Sequence, residues 1–246
     1  GGWIFEVYGL DMVLMIPLVD GALTFTVCAV FLHETLAVRS SAPVRLAGIV
    51  AANLRILKNP NYRAYAISAA FSATAYFIFV ACSPYVSEIL MGVSPSAYGQ
   101  WFLALSIAYM VGNGCAGRFS KRIGGDRMIW IGLLSAAVGL AAMTWLSGTG
   151  TLTAAGMFLL MGFVSVGNRF STPHALAGAI SADPAQAGTA SGMTGFLQMT
   201  MGAVAGIVCG MVLEATNDAF VLAVAMLGAT LLAIYAFAAA RGLRSG

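Results

Sequence analysis

The sequence predicts an all-α integral membrane protein, and three observations support this prediction. The 246 residues are 60% hydrophobic and only 9% charged, whereas a soluble domain carries about 25% charged residues. Long apolar runs recur along the chain, so lipid rather than water must surround much of its surface. Eleven of the twelve Lys and Arg residues fall into three clusters between these runs. The clusters are Arg39, Arg45, Arg55, Lys58 and Arg63, then Arg118, Lys121, Arg122 and Arg127, then Arg241 and Arg244.

Seven apolar runs are each close to the length of about 20 residues that a helix needs to cross a bilayer. Capping residues support several helix starts, because Ser94 and Asp183 each precede a proline and Asp218 precedes the last run. Each run is therefore predicted to be a transmembrane helix. The predicted spans are residues 12–32, 64–82, 97–116, 128–147, 153–175, 185–213 and 219–240.

The charge of the connecting segments predicts the orientation of the chain. Basic residues that flank apolar spans stay on the cytoplasmic side of the membrane. Segments 33–63, 117–127 and 241–246 carry the basic clusters, so the N-terminus is predicted outside and the C-terminus inside. Segment 176–184 is cytoplasmic by parity, but it carries only Asp183 and does not test the assignment. The segments predicted outside carry no Lys or Arg: 1–11, 83–96, 148–152 and 214–218.

Residues 44–57 form an apolar stretch within the longest polar connection, with Arg45, Asn53 and Arg55 interspersed. This pattern predicts a short amphipathic helix on the cytoplasmic surface, with an ordinary loop as the alternative.

Composition and residue placement argue against several other classes of protein. The net charge of +3 comes from residues at span ends rather than on one face, which excludes a nucleic-acid partner. The four cysteines lie in apolar runs without metal-ligand spacing, so they are interpreted as small core residues. A retinal protein needs a lysine inside the membrane, yet Lys58 and Lys121 lie in predicted loops. A membrane enzyme lacks support because the spans carry no metal cluster or catalytic triad.

Several short motifs occur in order along the chain: HETL at 33–36, SPYV at 83–86, GVSP at 92–95, GNRFSTPH at 167–174 and AGTASG at 187–192. These motifs resemble the second half of Bcr/CflA-type drug-resistance transporters of the major facilitator superfamily. Their order and spacing match that family over nearly the whole chain. The resemblance implies the C-terminal six-helix bundle together with the preceding span.

The resemblance also implies a division of the chain into segments. Residues 1–11 would be the end of span five and an external loop, and residues 12–36 would be span six. Residues 37–63 would be the cytoplasmic central loop with its amphipathic helix, and residues 64–246 the six-span bundle. The N-terminal bundle of the same protein would lie outside this sequence. It is expected to hold the main proton-carrying acids.

The family implies proton-driven export of small amphiphilic drugs by alternating access, in a bacterial inner membrane and without a bound cofactor. Polar residues within the spans are the candidates for the cavity wall. Ser106, Tyr109 and Asn113 share one helix face, which either lines a water-filled path or makes interhelical hydrogen bonds. A non-transporting fragment or assembly remnant is the alternative function. The candidate cavity residues are Tyr76, Asn113, Asn168, Arg169, His174 and Gln198.

Arg169 stands apart from the basic clusters, inside an apolar run and at a position where the resembling family usually has Gly. A charge at the bilayer centre costs about 2.5–3.5 kcal/mol on insertion scales, so it predicts a functional role. A span that starts near Thr153 places Arg169 about 24 Å in, toward the cytoplasmic edge. Three interpretations stay open: a charge in the cavity or gate, a side chain that snorkels to the interface, or a drifted position.

Asp20 and the segment around Gly117 are two further candidates. Asp20 lies about 12 Å into its span, where a carboxyl is either a proton carrier or a tolerated packing acid. Residues 117–127 resemble the superfamily's cytoplasmic gating loop, although Lys121 replaces the expected acid. A plain basic anchor is the alternative. The gating-loop residues are Gly117, Lys121, Arg122, Gly124, Asp126 and Arg127.

Small residues recur at intervals of four in the span 185–213, at Gly202, Gly206 and Gly210. This spacing predicts close helix packing, with a hinge as the alternative.

Overall fold

The computed structural model describes residues 2–32 and 46–242 of the chain, and this described part contains no β-strand. Its long helices pack together in one bundle. The chain continues as a π-helix over Tyr85–Leu90 after the third helix, and a short 3-10 turn precedes the seventh. The helices are α1 (Gly2–Phe31), α2 (Leu46–Lys58), α3 (Pro60–Pro84), α4 (Pro95–Ile123), α5 (Gly125–Gly148), α6 (Ala154–Ser181), α7 (Ala187–Thr216) and α8 (Phe220–Gly242).

Each of the seven predicted spans coincides with one of these helices, and α2 corresponds to the predicted amphipathic helix. Five of them, α1, α3, α5, α7 and α8, are long and apolar enough to cross a membrane. The other two, α4 and α6, have 29 and 28 residues, and they pack against each other. The all-helical membrane fold is therefore confirmed.

The helix α3 occupies the centre of the bundle and packs against α6, α7 and α8. Aromatic and thioether side chains fill the space beside it. Phe158 of α6 contacts Phe79 edge-on at 5.7 Å between ring centroids and stacks on Trp101 of α4 at 6.1 Å. Met143, Met157 and Met161 are buried around this group. Apolar packing thus fixes α3, α4 and α6 relative to one another.

Small residues set the closest helix crossings. A Cβ on Gly202 of α7 would lie 2.5 Å from the Phe77 ring, and one on Gly206 would lie 3.1 Å from Ala81. Gly210 has no such neighbour within 4 Å. The predicted packing role therefore holds for two of the three glycines, whose missing side chains let α7 approach α3.

The bundle has two chemically different ends. Asn59 at the start of α3 donates to the carbonyl of Ala182 at 3.2 Å, which brings the start of α3 to the end of α6. At the other end Tyr85 donates to Asn217 at 2.8 Å. We call the first the basic end, because it carries Lys58, Arg63, Arg118, Lys121, Arg122 and Arg127.

The predicted gating loop over 117–127 is wrong as a loop. The helix α4 continues to Ile123, α5 begins at Gly125, and Gly124 alone breaks the helical path with φ 84° and ψ 150°. Glycine adopts a positive φ without the steric penalty of other residues, so the chain reverses in one residue. Most residues predicted for the loop therefore lie on helix ends that extend beyond the apolar run.

Two other predicted boundaries also differ from the structure. The helix α6 continues to Ser181, so the predicted connection over 176–184 shrinks to a short turn. The end of span five and the external loop expected over residues 1–11 are replaced by a kink at Gly9, with φ 76°, where two helices meet within α1. Apolar runs mark only the part of a helix that lipid or the core must cover, and helices extend past them. The predicted central segment 37–63 and the end of segment 12–36 lie partly outside the described residues.

The cysteines follow the predicted packing role only in part. All four are free thiols; Cys82 and Cys209 are buried between α3 and α7, Cys115 is half-buried, and Cys28 is exposed. Cys28 lies on α1, whose described side chains are nearly all exposed and whose contacts are mainly with α4.

Candidate functional site

A cavity of about 480 Å³ opens between four helices of the bundle. Apolar and aromatic side chains make most of its wall, and one cation and a few neutral polar groups interrupt them. Its size falls within the range of about 300–1,000 Å³ typical of small-molecule sites. The lining residues are Ala73, Tyr76 and Phe77 of α3, Leu105, Ser106, Tyr109 and Met110 of α4, Arg169 and Thr172 of α6, and Gln198 of α7.

The polar groups of the cavity lie at a common depth. Arg169 lies twelve residues before Ser181, Gln198 eleven after Ala187, and Tyr109 fourteen before Ile123. At 1.5 Å per residue these positions are roughly 17–21 Å from the basic end. A hydrocarbon core is about 30 Å thick and helix ends project beyond it, so the cavity lies near mid-membrane.

Arg169 is anchored in this cavity by Tyr109. Its Nη1 donates a hydrogen bond to the Tyr109 hydroxyl at 2.6 Å, and its Cζ lies 4.1 Å from the centroid of the same ring. The guanidinium is thereby held across α4 at mid-depth, and the snorkelling interpretation is wrong for this structure. The depth estimate failed because α6 extends six residues beyond the predicted end at 175.

Gly112 makes room for the Arg169 side chain. A Cβ on Gly112 would lie 3.0 Å from Cγ of Arg169 and 3.0 Å from Cα of Val166. Close approach of α4 to α6 therefore depends on the missing side chain. Sequence reasoning missed this residue, although it follows Tyr109 by three positions and so shares its helix face.

Two buried nitrogen atoms of the cavity residues have no hydrogen-bond partner within the described part of the chain: Nε of Arg169 and Nε2 of Gln198. Buried polar groups normally have partners, so each such atom requires an explanation. Tyr76 lies beside them, with its ring centroid 6.4 Å from that of Tyr109. The structure therefore brings together three of the predicted cavity residues, Tyr76, Arg169 and Gln198.

Asn168 points away from the cavity, contrary to its predicted place in the wall. It is buried, with 4% of its surface exposed, and its Nδ2 donates to the backbone carbonyl of Ser72 at 3.2 Å. Its Oδ1 accepts from the hydroxyl of Ser72 at 3.2 Å and from that of Thr172. Asn168 therefore joins α6 to α3 as an interhelical hydrogen-bonding residue.

Substituting Asn168 with Leu should lower the free energy of unfolding by about 1–2 kcal/mol. The change keeps the approximate volume but removes interhelical hydrogen bonds, each worth about 0.6 kcal/mol on average in membrane proteins. Reversible unfolding in mixed micelles measures the effect. Gln198→Leu is the matched control, because its amide nitrogen makes no hydrogen bond and its loss should cost less. Equal losses in the two variants would contradict the bonding role of Asn168.

His174 lies near the basic end and not in the cavity wall. Its Nε2 is 2.8 Å from the hydroxyl of Ser120 on α4, and its Nδ1 is 2.8 Å from the carbonyl of Phe170. Because a carbonyl only accepts, Nδ1 carries a proton. The side chain thus links α6 to the end of α4, and its predicted place in the cavity is wrong.

Asn113 and Asp20 also lie outside the cavity. Asn113 is exposed on α4, while Ser106 and Tyr109 from the same predicted face do line the cavity. Asp20 is exposed on α1.

Of the predicted gating residues, Asp126 accepts a hydrogen bond from Tyr65 at 2.7 Å, which fixes the start of α5 against α3. Lys121, Arg122 and Arg127 are exposed at the basic end. Across residues 2–32 and 46–242, no group of three or more His, Cys, Asp or Glu side chains offers a metal site.

A cavity near mid-membrane that carries a few polar groups between helices is typical of transporters. The sequence matches the family described as Major Facilitator Superfamily over residues 1–207. The chain belongs to the Major Facilitator Superfamily. Members of this superfamily are membrane transporters rather than enzymes. The family predicted from the sequence motifs is therefore confirmed.

Two bacterial relatives of this superfamily are similar to the chain. The uncharacterized MFS-type transporter YdgK of Bacillus subtilis (strain 168) is 25% identical over 190 residues, which cover 76% of this chain and 46% of that protein. The bicyclomycin resistance protein homolog of Haemophilus influenzae is 25% identical over 249 aligned positions, which cover 100% of this chain and 61% of that protein. The chain thus spans less than two thirds of the length of either relative.

Proposed function

We propose that the chain forms part of a proton-driven exporter of small amphiphilic drugs in the bacterial inner membrane. The observation that carries this proposal is the mid-depth cavity, whose wall combines Tyr76, Phe77 and Tyr109 with the polar groups of Arg169 and Gln198. Aromatic and apolar walls with a few polar groups suit ligands that are themselves partly apolar. The name of the Haemophilus influenzae relative, a bicyclomycin resistance protein homolog, supports drugs as the substrate class.

The proposed mechanism is alternating access, in which two helix bundles rock around a site near the membrane midplane. Helices α3, α4, α6 and α7 supply one wall of that site. The other wall is assigned to an N-terminal bundle of the same protein, because the relatives extend well beyond the matched region.

Proton coupling is assigned to acids outside this cavity. The ten residues that line it among the described part of the chain include neither Asp nor Glu. Asp20 lies on α1, outside this cavity. The acids of the N-terminal bundle are the proposed carriers, and the proton gradient is the proposed energy source.

The basic end is proposed to face the cytoplasm. Exposed Arg118, Lys121 and Arg122 lie there on the last turns of α4, and basic residues resist translocation. This orientation puts the N-terminus of the chain in the periplasm and its C-terminus in the cytoplasm. A C-terminal fusion to a fluorescent protein that matures only in the cytoplasm should then fluoresce.

Co-expression with an N-terminal bundle tests the proposed function. A drug-sensitive bacterial strain would carry the 246-residue chain and the first bundle of a relative on separate plasmids. Each half alone is expected to leave the minimum inhibitory concentration of bicyclomycin unchanged, and the pair is expected to raise it. A protonophore should abolish the drug efflux of the resistant cells. Normal membrane insertion of both halves without resistance would contradict transport and favour a non-transporting assembly component.

A further inference from the structure

The cavity contains a positive charge that no acidic side chain balances among the described residues of its wall. Arg169 is the cation, and its bonded partner Tyr109 offers a phenol hydroxyl rather than a carboxylate. A charge at mid-membrane depth is costly unless an opposite charge or strong hydrogen bonds compensate it. One hydrogen bond and one cation–π contact satisfy the guanidinium only in part.

Among the described residues, two side-chain atoms of the cavity wall are buried without a hydrogen-bond partner, and both are donors: Nε of Arg169 and Nε2 of Gln198. The two atoms belong to residues on different helices, α6 and α7, that face the same space. A ligand that fills this space and offers hydrogen-bond acceptors would meet two side chains whose donors are not all used.

The apolar and aromatic part of the wall indicates what the uncharged part of the ligand is. Tyr76 and Phe77 present aromatic rings on the α3 side, and Leu105 and Met110 are apolar. Aromatic rings favour stacked or edge-on contact with another ring, and a methionine adapts to different shapes. The cavity therefore suits a molecule with an aromatic body and an acidic group at one end.

We propose that this cavity binds aromatic organic anions, with Arg169 and Gln198 holding a carboxylate or sulfonate and the rings of Tyr76 and Phe77 receiving the aromatic part. Arginine presents several N–H donors in a planar fork that matches the two oxygens of a carboxylate. This proposal rests on the proposed function, because only transport makes the bound anion a substrate. It adds that the exported molecule carries a negative charge. Binding itself is testable without transport.

The binding experiment uses two probes that differ in charge, naphthoate and its neutral analogue naphthamide. Isothermal titration calorimetry would measure their affinity for the purified 246-residue chain in a non-ionic detergent. Naphthoate is expected to bind more tightly than naphthamide by about tenfold, which is the effect of one charge-assisted hydrogen bond. Equal affinities for the two probes, or binding of neither, would overturn the proposal.

Three variants separate the cavity charge from the overall charge. Arg169→Gln is expected to weaken naphthoate by about tenfold and to leave naphthamide unchanged, which also shows that the variant is folded. Arg169→Lys keeps the charge but loses the fork, so an intermediate affinity is expected. Arg63→Gln is the matched control, because it removes the same charge from an exposed position at the basic end. A loss in the control equal to that in Arg169→Gln would contradict the assignment.

A carboxylate of the N-terminal bundle is the other source of the same chemistry. The titration is therefore repeated on the co-expressed pair of halves. If naphthoate still binds in an Arg169-dependent manner, the substrate supplies the anion. If naphthoate binds the single chain but not the pair, a protein carboxylate occupies the site and the substrate assignment is overturned. Failure of the resistance test with a positive titration would contradict transport while leaving the anion site intact.

Discussion

Replacing Gly132 with Val should prevent the native packing of α5 against α6. A Cβ at this position would lie 2.4 Å from the carbonyl oxygen of Gly167 and 2.6 Å from the backbone nitrogen of Ser171. Both atoms belong to a helix backbone, which cannot rotate away as a side chain does. Because overpacking costs 1–3 kcal/mol or more, the free energy of unfolding is expected to fall by about 3 kcal/mol.

The amount of monodisperse protein recovered in detergent, measured by size-exclusion chromatography of a fluorescent fusion, reports this loss. Gly210→Val is the matched control, since a Cβ on Gly210 of α7 meets nothing within 4 Å. It should be recovered like the unchanged protein. Equal recovery of Gly132→Val would show that α5 and α6 do not cross as closely as described.

Replacing Ala73 with Phe should abolish drug resistance while leaving the protein folded. Ala73 lines the cavity from α3, so a larger ring there occupies the space proposed for the substrate. Loss of a few kcal/mol of binding free energy corresponds to at least a tenfold change in affinity, at about 1.4 kcal/mol per factor of ten. The minimum inhibitory concentration in the complemented strain is expected to fall to that of the empty vector.

Ala141→Phe is the control for this substitution, because Ala141 is exposed on α5 away from the cavity. It introduces the same ring and should preserve resistance. Size-exclusion profiles of both variants check that each is folded. Full resistance in Ala73→Phe would place the transport path elsewhere in the bundle.

The fold class and the order of the helices follow from local sequence. A run of about 20 apolar residues must be surrounded by lipid or core, and in lipid the backbone must form a helix to satisfy its own hydrogen bonds. Local chemistry also predicts some helix starts. Ser94 accepts from the amide of Ala97, and Asp218 accepts from that of Phe220 at 2.8 Å. The cap predicted at Asp183 differs, since its carboxylate accepts from the side chain of Gln186.

The ends of the helices could not be predicted as well. Basic residues after an apolar run, as at Arg118, are equally compatible with a loop and with a helix that continues into water. One glycine conformation, that of Gly124, decides between them here. Helix ends also affect the site. The helix α6 extends beyond residue 175, and this extension places Arg169 near mid-membrane.

The sequence alone determines the helical membrane fold and membership of the Major Facilitator Superfamily. Hydropathy and short motifs can be read without knowing which residues are neighbours in space. Only the tertiary structure decided which polar residues face the cavity. Asn168 and Arg169 are adjacent in the chain, yet successive residues of a helix point about 100° apart. The first bonds to Ser72 of α3, while the second reaches Tyr109 of α4. Which helix stands on each side of α6 is set by packing at residues far apart in sequence, such as Gly112 and Gly132.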